Sequence, residues 1–110
     1  MLTISEARRL ALSFAEVTED DHHGIPSFRV RGKIFATVPD GDHVRLMFEP
    51  DVARTIVRAD PDACEELWWG KKRSGCRVVL KAATTALVRE LLAESWRRRA
   101  PAKLRARLDA

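Results

Sequence analysis

Only two cysteines occur in the chain, Cys64 and Cys76. That is too few for a disulfide framework, and they lack the CxxC spacing of a redox or zinc site, so both read as reduced thiols. Cys64 stands beside Glu65 and Glu66, an acidic setting that raises a thiol pKa and works against a nucleophile. Glycine and proline number five each, which excludes collagen-like and low-complexity chains. No apolar run approaches the roughly 20 residues of a membrane span. The first helix-like stretch, Leu2 to Ala15, carries Glu6, Arg8 and Arg9, which spoil a signal-peptide core, so no membrane association and a cytoplasmic location are expected. No catalytic motif stands out either. His22, His23 and His43 have no Cys, Asp or Glu at a recognised ligand spacing, and adjacent histidines rarely hold one ion together. The carboxylate pairs Asp20-Asp21 and Glu65-Glu66 are consecutive, with nothing to place them in a shared cleft. The expectation is a non-enzymatic protein with no metal and no cofactor.

What is present suits one soluble domain over residues 1–110: a mass of 12.5 kDa, 45% apolar and 33% charged residues. Charge is uneven. Residues 1–66 hold 8 Lys/Arg and 13 Asp/Glu, a net of −5, whereas residues 67–110 hold 12 Lys/Arg and 3 Asp/Glu, a net of +9. A clustered positive field of this kind suits nucleic acid or another polyanion. The run Arg97-Arg98-Arg99 with Lys103, Arg105 and Arg107 makes a basic tail over about 97–110.

Thr3-Ile4-Ser5-Glu6 has the spacing of a capping box and predicts a helix in which Ile4, Ala7, Leu10, Ala11 and Phe14 share a face. The acidic, turn-rich segment Thr18 to Pro26 reads as a loop. From Ser27 the period becomes two: Phe28 and Val30 alternate with Arg29 and Arg31, Gly32 turns the chain at Arg31-Gly32 or Gly32-Lys33, and Lys33 to Val38 forms a second strand. After the turn Pro39-Asp40-Gly41-Asp42, Val44, Leu46 and Phe48 alternate with Arg45 and Met47 in a third strand. Pro50 opens a short helix bearing Val52, Ala53, Ile56 and Val57. A second hairpin follows, with Leu67-Trp68-Trp69 and Cys76 to Lys81 as its arms and Gly70 to Gly75 as a cationic connection. Leu87, Val88, Leu91, Leu92, Ser95 and Trp96 define a helix starting near Thr84 or Thr85, which Pro101 breaks or restarts. The order α-β-β-β-α-β-β-α is most economically a two-layer α+β domain with an antiparallel sheet.

Hairpin geometry puts Phe35 on the core face with Phe28 and Val30. The opposite face then carries Arg29, Arg31, Ile34, Ala36 and Val38, joined by Arg45 and Met47 and by Arg77, Val79 and Lys81. Arginines interleaved with apolar side chains suit a groove that follows a phosphate backbone while touching sugar or base; arginines snorkelling over an ordinary solvated sheet face are the plainer alternative. Trp68 and Trp69 point to opposite faces, so one belongs to the core while the other is either a stacking platform or covered by the last helix. Lys71, Lys72 and Arg73 form the tip of a wing. The candidate nucleic-acid-binding residues are thus Arg29, Arg31, Lys33, Arg45, Lys71, Lys72, Arg73 and Arg77. The expected partner is DNA, the alternative being a protein bound by the same mixed face in an adaptor or chaperone-like role, and the chain is expected as a monomer or weak homodimer.

The stretch Gly24-Ile25-Pro26-Ser27-Phe28-Arg29-Val30-Arg31-Gly32-Lys33-Ile34-Phe35-Ala36 resembles the MmcQ/YjbR family of small bacterial proteins. The Pro-Asp-Gly turn at 39–41, Trp69-Gly70-Lys71, Leu91-Leu92 with Trp96, and Ala100-Pro101-Ala102-Lys103 extend the likeness nearly end to end. The resemblance implies an α-β3-α-β2-α fold similar to secretion chaperones, and a DNA-binding role through hairpin wings and the sheet between them. It brings no agreed catalytic activity. Cys76 departs from the family, whose members tend to open the last strand with a Trp at this point.

Overall fold

Thr3 begins the first helix as its spacing predicts: its hydroxyl accepts from the Glu6 amide and donates to the Glu6 carboxylate, closing α1 (Ile4–Leu12) at its start. The structure, a computed structural model, describes residues 2–69 and 71–109, without the side chains of 69, 72, 73 and 107–109. Four strands follow α1, namely β1 (Val17–His22), β2 (Ile25–Val30), β3 (Lys33–Thr37) and β4 (His43–Met47). Pro50 occupies the first turn of α2 (Pro50–Ala59), after which come β5 (Cys64–Trp69), β6 (Lys72–Val79) and a 3-10 turn at Leu80–Ala82. Thr84 caps α3 (Thr85–Arg99) by accepting from the Leu87 amide; the chain restarts after Pro101 as α4 (Ala102–Asp109). No described helix is long and apolar enough to cross a membrane.

The six strands form one antiparallel sheet in the order β1-β2-β3-β4-β6-β5. The helices pack on one face of it: α3 lies over β3 and β4, α2 over β5 and β6, and α1 rests against α3. Phe28, Val30, Phe35, Val44, Leu46, Cys76 and Val78 point toward them and are buried with Val88, Leu92 and Trp96, so the two-layer α+β architecture holds. Two interactions set α3. The Ser95 hydroxyl donates to the Phe35 carbonyl at 2.6 Å and lies 3.3 Å from the Met47 carbonyl, while the Trp96 indole N–H donates to the Ala15 carbonyl with its ring 6.0 Å from Phe14.

Three local expectations need correction. Residues 18–26 are not a loop: β1 pairs with β2 along its whole length, and the connection is only His23-Gly24, both at positive φ. Thr-Glu-Asp-Asp gives no apolar alternation to read, since this outermost strand is exposed through its middle, and acidic side chains suit an edge that must not pair with another chain. Ala36 and Val38 face the core and not the outside, because an irregularity opposite Phe28/Arg29 pairs Phe28 with Ala36 and Arg29 with Ile34. The extra residue keeps Phe35 and Ala36 both buried and passes the outer position to Thr37. Finally, the second hairpin's connection is shorter than Gly70 to Gly75, because β6 starts at Lys72 and pairs with β5 at Lys72, Arg73 and Gly75, Ser74 being the extra residue of an irregularity; its end at Val79 puts Lys81 in the 3-10 turn and not on the strand's outer face.

Gly75 is demanded by this arrangement. Its φ is +151°, and a Cβ there would lie 1.9 Å from the Leu46 carbonyl oxygen and 3.0 Å from the Phe48 nitrogen, both backbone atoms that cannot swing aside. Gly75→Ala is expected to cost about 3 kcal/mol, the sum of a strained backbone and a contact that forces β4 and β6 apart. Urea unfolding measures it; a loss under about 1 kcal/mol would mean that the two strands do not approach this closely.

Candidate nucleic-acid interface

With α1, α2 and α3 on one face, strand alternation decides what the opposite face shows. Register places Ser27, Thr37, Arg45, Arg77 and Glu65 in one row across β2, β3, β4, β6 and β5, and Met47 beside Gly75 and Leu67 in another. A groove of about 680 Å³ crosses this face. Its apolar lining comes from Ile25, Ile34, Met47, Leu67 and Trp68, its polar lining from His22, Thr37 and Ser74, and its cations from Arg29, Lys33, Arg45 and Arg99. No acidic side chain is among the described residues that line it.

The cations differ in how far the protein already occupies them. Arg77 stands directly across from Arg45, an unfavourable like-charge pair, but Glu65 takes Arg77 through its Nε at 2.9 Å and Nη2 at 2.6 Å. Among the described residues Arg45 has no ion-pair partner, and its Nε is buried without a hydrogen bond. The Arg29 Nε donates to the Ser27 hydroxyl, which in turn donates to the Asp20 carbonyl; the guanidinium is thereby aimed without being neutralised. Three of the four groove cations thus come from β2, β3 and β4, and Arg99 reaches it from the last turn of α3.

The other expected site residues lie elsewhere. Arg31 sits in the Arg31-Gly32 turn at φ 51°, the first of two consecutive positive-φ residues characteristic of a type I′ hairpin, and Glu16 accepts from it at 2.7 and 3.0 Å. That bond raises the Arg31 pKa, and Arg31 is not among the described residues that line the groove. Lys71 is exposed at the tip of the second hairpin, whereas the side chains of Lys72 and Arg73 lie outside the described residues. Of the basic run at the end of α3, Arg97 and Arg98 bond Glu94, holding its carboxyl below the usual range, and Arg98 also bonds Glu49 and sits over the Phe48 ring. Only Arg99 of the three turns toward the groove. Sequence periodicity could not find it, because it belongs to a different element from the other cations. Trp68 is 50% exposed and lines the groove with Leu67, next to the irregularity at which Ser74 is an extra residue of β6.

Cys76 faces the helices, not the groove: its Sγ lies 3.6 Å from the Ala53 carbonyl. The side chain at position 76 therefore has no part in what the open face contacts. Burial pushes its thiol up to about 12 and that of Cys64 up to about 11, from an ordinary 9.0. No cluster that could hold a metal ion occurs among the described residues, and the His22 and His23 rings pack edge to face at 4.5 Å.

An α+β domain with its helices on one sheet face and a cationic groove on the other is the class these features define. The model of the YjbR family matches residues 12–98, and the chain belongs to that family. Its fold is similar to that of a solved structure, the Deinococcus radiodurans protein DR2400, of family-model domain DUF419. The TM-score is 0.71 at 20% identity, over 87% of this chain and 77% of that one. No curated protein matches the chain.

The two thiols supply a check on the core. Because folding favours their neutral forms, their contribution to stability is constant below pH 9 and is lost as pH rises from there through about 11 and about 12. A disulfide-exchange reagent at pH 8 is expected to leave both cysteines unmodified in the folded protein and to titrate both in urea. Rapid reaction of one thiol without urea would contradict the packing of β5 and β6 beneath α2.

Proposed function

We propose that the protein is a non-enzymatic DNA-binding protein whose contact surface is the groove on the open sheet face. The observation that carries this reading is the sign of the lining: Arg29, Lys33, Arg45 and Arg99 with no acidic side chain among the described residues. In a chain with 16 Asp and Glu against 20 Lys and Arg, such a segregated surface needs a polyanion to justify it. Arg45 supports it further, since a guanidinium set opposite Arg77 with no carboxylate partner among the described residues is an unfavourable arrangement that a phosphate relieves. Lys71, at the hairpin tip, extends the cationic rim. The two reduced, buried thiols fit a cytoplasmic setting.

Binding of this type releases counterions and therefore weakens steeply with salt. Arg29→Gln with Arg45→Gln is expected to lower DNA affinity and to flatten the slope of log K against log salt by roughly 0.7 to 0.9 for each charge removed. Arg31→Gln, whose charge Glu16 already holds, leaves the slope unchanged. Fluorescence anisotropy of labelled DNA across a salt series, with heparin as competitor, measures both. Absence of binding at low salt, where an electrostatic contact is strongest, would overturn the reading and turn attention to a protein partner.

A further inference from the structure

The groove has a feature that duplex DNA does not use. Trp68 presents half of its surface to solvent at the groove wall, against an apolar floor of Ile34, Met47 and Leu67. A duplex offers phosphates on its outside and base edges in its grooves, but it keeps the faces of its bases inside the stack. Only an unpaired base has a face to lay on an indole. The cations point the same way. Lys33 and Lys71 are exposed and could meet the outside of any nucleic acid, whereas Arg45 is partly sunk in the sheet face, its Nε sealed from solvent. A phosphate carried on a broad, stiff cylinder reaches rim cations, while one on a flexible strand can follow the floor down to a recessed guanidinium. At about 680 Å³ the groove falls in the range of roughly 300–1,000 Å³ that encloses a small ligand, enough for about one or two nucleotides and too little for the width of a double helix.

We propose that the groove binds single-stranded DNA, with a base stacked on Trp68 over the Met47–Leu67 floor and the adjoining phosphate seated at Arg45 and Arg29. This rests on the DNA-binding reading above and specifies the form of DNA. The choice of DNA follows the reading above, and a matching RNA oligomer in the test decides it. Recognition is shape- and charge-based, and one base serves nearly as well as another because each has a π-face.

The test compares a labelled mixed-sequence oligonucleotide of about ten nucleotides with its own duplex, against the wild-type protein and the variants Trp68→Ala and Trp68→Phe. The single strand is expected to bind at least about tenfold more tightly than the duplex. Trp68→Ala should lower single-strand affinity about tenfold while leaving the salt slope intact, since stacking releases no counterion; Trp68→Phe should retain most of the affinity. Trp68 is half exposed, so thermal unfolding will show each variant folded. Duplex bound as tightly as single strand would overturn this inference and leave the DNA-binding reading standing. Neither form bound at low salt would remove both. Equal affinity of Trp68→Ala and wild type would exclude the stacking platform, and a matching RNA oligomer bound more tightly than DNA would overturn the choice of DNA.

Discussion

The structure depends on the way α3 is fastened by two consecutive side chains, Ser95 and Trp96. Both are fully buried, and each meets a backbone carbonyl far away in the chain: Phe35 and Met47 for the hydroxyl, Ala15 for the indole N–H. The serine ties the helix to β3 and to the end of β4, and the tryptophan ties it to the segment leaving α1. A buried carbonyl without a donor costs about 1–3 kcal/mol, so these contacts specify position as well as adding stability. They commit both long helical faces to the same side of the sheet. The other side is left for something outside the chain.

Charge on that open side follows from strand pairing and not from the overall excess of basic residues. Acids near it are consumed locally: Glu65 by Arg77, Glu16 by Arg31, and Glu49 and Glu94 by Arg98. Each of these pairs is at least partly exposed and worth little as stability. Their effect is on the field. By occupying some cations and sparing others, they leave Arg29, Lys33, Arg45 and Arg99 as the charges facing the groove, which is a smaller and more definite set than the basic tail suggests.

Much of this was legible from residue order. Thr3, Pro50 and Thr84 announce the helix starts, the alternation of Phe28, Val30, Val44, Leu46 and Val78 identifies the core face, and Arg29, Arg45 and Met47 are placed correctly on the face opposite. What escaped has physical causes. An exposed edge strand of Thr-Glu-Asp-Asp carries no burial signal, so β1 was invisible to periodicity. Irregular pairing inverts alternation without marking the sequence, which exchanged Ala36 for Thr37 and left Ser74 of β6 without a partner on β5. Ion pairing is a matter of proximity between elements, and so neither the capture of Arg31 by Glu16 nor the arrival of Arg99 from α3 could be read from spacing.

The two tight turns, His23-Gly24 and Arg31-Gly32, have a consequence for the order of folding. With the turn at 39–42 they make β1, β2, β3 and β4 a continuous meander whose pairings are all close in sequence, whereas the pairing of β4 with β6 spans the whole of α2 and β5. Loop closure for hairpins of this kind takes microseconds, and long-range pairing is slower because more chain entropy is lost before any contact forms. The half of the groove that holds Arg29, Lys33, Ile34 and Arg45 is thus a local product of about thirty residues. The half that holds Leu67, Trp68 and Ser74 exists only once β6 has closed on β4, so the complete binding surface is itself a marker of the native state.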